Sequence, residues 1–219
     1  MHDHFATADE ARAVVGPFLD RWEMSAALTG RPDDFLFSYE TAKVIDRDGP
    51  VMVAEGGSYL IAGAGTVSLL EHLAYPAPPV GLARDNRVDL MFMRYCRYFE
   101  KRTTPGDAAN FCLTMVEDAV GGPPRGRRAR AAEHYMIHQD VFNMLGTLAA
   151  TKGGREARKA EGVWRHSNHG TLENRFEPED VAWLEAAMKT IIHRVAEVAA
   201  DPDPKAKRTQ ITMTDLPPR

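Results

Sequence analysis

Arg127, Arg130, His134 and His138 follow one another at intervals of three and four residues, so one continuous α-helix would carry all four side chains within about 80° of arc. Cations beside an imidazole disfavour its protonation. A neutral imidazole near pH 7 can accept a proton, and a guanidinium can stabilise developing negative charge. The same face continues as Val141, Leu145 and Leu148. The segment is therefore expected to bury an apolar half and hold arginine and imidazole at the rim of a core, where a pocket can form. The competing reading of the two imidazoles is a hydrogen-bonded pair inside the core.

Cations gather on both sides of this segment. Residues 120–175 hold ten Arg or Lys against five Asp or Glu, net +5, while the rest of the chain is net −9. One group is Arg125, Arg127, Arg128 and Arg130; the other is Lys152, Arg155, Arg158, Lys159 and Arg165. Guanidinium groups at the first turn of a helix add to its unpaired N–H groups and positive dipole end, which suits phosphate or carboxylate. Arg127, Arg130, His138, Lys152, Arg155, Arg158 and Lys159 are accordingly the candidate anion ligands, with nucleic acid or nucleotide phosphate as the expected partner. The competing reading is a pair of solvated loops. His134 and His138, one turn apart, and His166 and His169 also invite a metal reading. No glutamate completes a His-Glu-x-x-His pattern and the arginines repel a cation, so no metal and no cofactor is expected.

The spacing Arg128-x5-His134, or Arg127-x6-His134, resembles the Arg-x(4 to 6)-His motif of HEPN-family ribonucleases and nucleotide-binding helical domains. The resemblance covers residues 84–200 as a helical region of suitable size. It implies a metal-independent endoribonuclease in which Arg128 and His134 are the catalytic pair, lining a cleft between two protomers. The main expectation stays a binding or regulatory protein, and a third reading is a protein–protein interaction module with no small ligand.

These side chains need elements to hold them. Thr7 with Glu10 forms a capping-box pattern ahead of a helical stripe that runs from Val14 to about Leu28. A strand is expected at about 35–45 and an antiparallel hairpin from Val51–Ala54 and Tyr59–Leu70 joined at Gly56-Gly57. Beyond the proline-rich stretch 76–83 the hydrophobic period changes from two to 3.6. Helices are expected at about 86–102, from Thr104-Pro105 to Ala119, at about 127–151 and at about 178–200. The basic stripe of the first of these, Arg87, Arg94, Arg97 and Lys101, is expected to face solvent. Trp183, roughly 160° from the stripe of the last helix, is expected to point outward, where a partner subunit or the sheet covers it.

The fold class expected is α+β, predominantly helical: a small N-terminal antiparallel sheet with one helix in residues 1–75, a linker at 76–83, a four-helix bundle at 84–200 and an extended tail at 201–219. The 219 residues carry 44% hydrophobic and 26% charged side chains and a net charge of −4, which excludes a chain that is polycationic throughout. No apolar run approaches a membrane span, and the first residues lack a signal-peptide pattern, so a cytoplasmic homo-oligomer without a membrane partner is expected. Cys96 and Cys112 are expected as free thiols.

Overall fold

The computed structural model describes residues 7–32, 41–44, 52–55, 79–152, 176–203 and 208–219, and the chain divides into two compact units, Met1–Val80 and Gly81–Arg219. In the first unit α1 spans Ala8–Thr29. It starts where the cap residue directs: the Thr7 side chain accepts a hydrogen bond from the Glu10 N–H at 3.2 Å, satisfying one of the four unpaired donors of the first turn.

The expected N-terminal sheet is corrected. Among the described residues the chain is mostly helical, with six α-helices, and a small N-terminal sheet as a layer of the fold is not supported. Among the described residues the extended backbone of this unit is one pair of four-residue segments, β1 Thr41–Val44 and β2 Met52–Glu55, antiparallel with Thr41 opposite Glu55. Two strands of this length form a ribbon with both edges unpaired, too small to cover a core. Met52–Glu55 pairs with a segment before it in sequence, a pairing that was not expected. The expected segments 35–40 and 59–70 lie outside the described residues.

The second unit contains α2 Asn86–Phe99, α3 Pro105–Ala119, α4 Arg127–Tyr135, α5 Gln139–Lys152 and α6 Pro178–Ala200. Caps again mark the starts. Asp85 accepts from the Val88 N–H at 2.8 Å, and Thr104 accepts from the Asp107 N–H at 3.1 Å with Pro105 in the first helical position. α3 and α6 each contact the four other helices of the unit. Leu184, Met188, Ile191, Ile192 and Val195 of α6 are buried, as the stripe predicts, but so is Trp183, at 1% exposure. The outward Trp183 is thus corrected: a helix packed on several sides has no solvent face at that position. Cys112 is buried and Cys96 half-buried; both are free thiols, and burial pushes them up to about 12 and about 11.

The single helix expected over 127–151 is also corrected, because it is two helices. Met136 takes a left-handed conformation at φ 50°, and the Ile137 N–H reaches the Ala132 carbonyl at 3.0 Å while the Met136 N–H reaches that of Glu133 at 3.3 Å. That pattern is a Schellman closure. Left-handed backbone costs a non-glycine residue about 1–2 kcal/mol. The compensation comes from Arg194 of α6, whose Nη1 donates to the Tyr135 carbonyl at 2.9 Å and the Met136 carbonyl at 3.1 Å. Among the described residues no helix is long and apolar enough to cross a membrane.

Candidate anion-binding site

The break after Tyr135 redistributes the four side chains expected on one face. His138 no longer belongs to the helix of His134; it stands immediately before α5, where its Nδ1 accepts from the Asp140 N–H at 3.3 Å and its carbonyl accepts from the Val141 N–H at 3.0 Å. It caps a helix. Among the described residues no group of three or more His, Cys, Asp or Glu is placed to hold a metal ion.

Arg127 and Arg130 turn back to the loop between α3 and α4. Arg127 Nη1 pairs with Asp118 at 3.0 Å and its Nε donates to the Gly122 carbonyl at 3.2 Å. Arg130 donates to the carbonyls of Gly121 at 2.7 Å, Pro123 at 2.8 Å and Arg125 at 3.3 Å. Its guanidinium lies over Gly122, which has φ 76° and where a Cβ would stand 2.9 Å from Nη2. Glycine is favoured there by the left-handed backbone. Both arginines therefore close a turn rather than converge on a hollow with His134.

Arg128 points elsewhere again. Its Nε meets Glu117 of α3 at 2.8 Å, and its Nη1 would lie 3.0 Å from a Cβ at Gly146 of α5. The resemblance to HEPN ribonucleases requires Arg128 and His134 in one cleft, and the structure instead directs Arg128 into the α3–α5 side. Lys152 is the last residue of α5, and Arg155, Arg158 and Lys159 lie outside the described residues.

A different set of cations meets around Tyr135. This side chain is fully buried, and Arg87 of α2 donates from Nη1 to its hydroxyl at 3.0 Å. The ring of His134, itself exposed, stands edge-on to the Tyr135 ring with 4.6 Å between centroids. Arg208, beyond α6, acts on His134 through its positive charge. Partial burial lowers the His134 pKa from its ordinary value, and the positive charges of Arg87 and Arg208 lower it further. Arg208 also donates to the carbonyls of Asp201 and of Asp203 and lies 3.8 Å from the Asp201 carboxylate. Arg87 is half-buried, and among the described residues it forms no ion pair with a carboxylate.

Sequence spacing does not reveal this cluster. Arg87 reads as one member of a solvent-facing stripe, and it lies 48 residues from the tyrosine it contacts. Arg194 and Arg208 carry no local motif. No family model matches the chain, and neither the curated proteins nor the solved structures contain a match to it.

The lowered His134 pKa fixes the sign of a pH effect. An unfolded imidazole titrates near 6.5 and the folded one below it. The stability contributed by the neutral ring is therefore fully present above about pH 6.5 and is lost as pH falls through the folded value, because the unfolded chain binds the proton first. Urea midpoints of wild type and His134→Gln measured from pH 8 to pH 5 are expected to diverge, the wild type falling more steeply. Parallel curves would show that this ring is not the group responsible.

Proposed function

We propose that the protein is a binding or regulatory protein that recognises an anionic phosphate, carried by a nucleotide or a nucleic acid backbone, at Arg87, His134 and Arg208. The observation that carries this reading is the meeting of Arg87 of α2 and His134 of α4 at the buried Tyr135, with the positive charge of Arg208 also acting on His134. A guanidinium held by one hydrogen bond to a phenol is oriented in advance and keeps its other N–H groups for an oxyanion. His134 adds a neutral donor at pH 7 and a third positive charge at lower pH, so phosphate affinity is expected to rise as the solution is acidified.

Titration calorimetry with inorganic phosphate, a nucleoside diphosphate and a short RNA tests the reading across salt concentrations. Arg87→Ala is expected to weaken binding about tenfold or more, the scale of one charge-assisted hydrogen bond of ~1.5–3 kcal/mol. Arg127→Ala, which removes a turn contact, is expected to leave affinity unchanged. Equal binding by wild type and Arg87→Ala, or loss confined to Arg127→Ala, overturns the assignment. Preference for RNA with a steep salt dependence identifies backbone phosphate as the target, and equal affinity for the free diphosphate identifies a small ligand.

A further inference from the structure

We infer that the first turns of α1 form an antiparallel helix pair with α1 of a second copy of the chain, joining two protomers through the stripe Ala11, Val14, Val15, Phe18 and Trp22.

Burial divides α1 in two. Met24, Ala26, Ala27 and Leu28 are buried, so the last turns are packed, whereas from Asp9 to Glu23 no side chain is buried. The unburied stretch is nevertheless apolar on one side. Val14 is 53% exposed, Val15 38% and Phe18 36%, and the Phe18 ring stands edge-on to that of Trp22 with 5.8 Å between centroids. At 100° per residue the five residues of the stripe fall within about 100° of arc, the width of face that a helix buries. A helical stretch of about four turns is marginal in water by itself and is stabilised by burying such a face. Pro17 lies about 115° from the middle of the stripe, so its ring stays out of the contact.

A second copy fits this face in size. In an antiparallel pair that sets Val15 opposite Phe18 of the second copy, Ala11 stands opposite Trp22 of the second copy, so a small side chain meets a large one at both levels. A parallel pair would set Trp22 on Trp22 and Ala11 on Ala11, crowding one end and leaving a gap at the other. The charges fit as well. Arg12 and Glu23 lie on one flank of the stripe, Glu10 and Arg21 on the other, and the two-fold axis of an antiparallel pair brings each flank beside its own counterpart. In the register set by Val15 and Phe18, Arg12 comes within two residues, about 3 Å along the axis, of Glu23 of the second copy, and Glu10 equally near Arg21 of the second copy. Each pairing occurs twice in the dimer. An anionic membrane is the poorer occupant, because α1 carries Asp9, Glu10, Asp20 and Glu23 against Arg12 and Arg21. A contact of this length is small for a permanent complex, so the dimer is expected to dissociate on dilution.

Sedimentation of the full-length chain from about 1 μM to about 1 mM follows the equilibrium. The dimer is expected to grow with concentration. Phe18→Asp changes an exposed position and leaves the buried end of α1 intact; it is expected to weaken the dimer about thirtyfold or more. Charge exchange tests the register and keeps the inference open to refutation if Phe18→Asp loses helix. Arg12→Glu sets two acidic side chains together on one flank and Glu23→Arg sets two basic ones together, so each variant alone is expected to dimerise about tenfold more weakly than wild type. Mixed one to one, the two variants are expected to recover, since that flank of the mixed dimer again pairs opposite charges. A parallel pair gives no recovery, because there Arg12 faces Glu10 and Glu23 faces Arg21. A wild type that stays monomeric throughout, a dimer indifferent to Phe18→Asp, or variants that do not recover on mixing would each overturn the inference. Binding to anionic vesicles in place of dimerisation overturns it in favour of a lipid surface.

Discussion

Arg194→Ala is expected to destabilise the unit Gly81–Arg219 by about 3–5 kcal/mol, the range found when one partner is taken from a buried, hydrogen-bonded charge. Arg194 is 6% exposed and bonds to the carbonyls of Tyr135, Met136 and Thr209 and, through Nε, to Glu197 at 2.7 Å. Alanine leaves those acceptors without their donor, the buried Tyr135 carbonyl among them. The left-handed Met136 then loses the contact that offsets its backbone cost, so the α4–α5 junction and its pairing with Ile211 are expected to weaken together. Urea denaturation followed by amide exchange in α6 gives the magnitude. The control is Arg127→Ala, which removes a partly exposed pair with Asp118 and is expected to cost about 1 kcal/mol or less. Similar midpoints for the two variants would show that Arg194 is not the hub of the fold.

Trp183→Ala is expected to cost about 3–5 kcal/mol, as truncation of a large buried aromatic does, because the helices around α6 cannot collapse fully into the space. Trp183→Phe keeps a ring in the same space and is expected to cost less. This prediction separates two roles that sequence leaves open for the residue. A core residue changes the urea midpoint and leaves the sedimentation coefficient of the native protein unaltered. An interface residue does the reverse, and that outcome would overturn the packing described for α6.

The starts of helices were legible because their signals are local. Thr7, Asp85 and Thr104 each accept from an N–H three residues on, and Pro105 and Pro178 each sit in a first helical turn. The stripe Leu184, Met188, Ile191, Ile192 and Val195 faces the core as its period requires. The break at Met136 had no such signal. Tyr135-Met136-Ile137-His138 contains neither glycine nor proline, and every residue on both sides keeps a helical pattern. The expectation of one shared face for Arg127, Arg130, His134 and His138 extended the 100° rotation through a point where the backbone reverses hand.

The sequence by itself determined where five of the six helices begin and which sides of them are apolar, since caps and periodicity act over three to seven residues. It also determined that arginine and histidine would be concentrated near α4. Only the tertiary structure decided which of those cations meet. Arg194, fixed on α6 and 59 residues from the Tyr135 carbonyl it binds, draws the backbone out of the helix there, and Ile211 then pairs with the exposed groups. A hydrogen bond between partners that far apart leaves no period in the chain, and Arg87 likewise meets Tyr135, 48 residues away, through packing that no local pattern encodes.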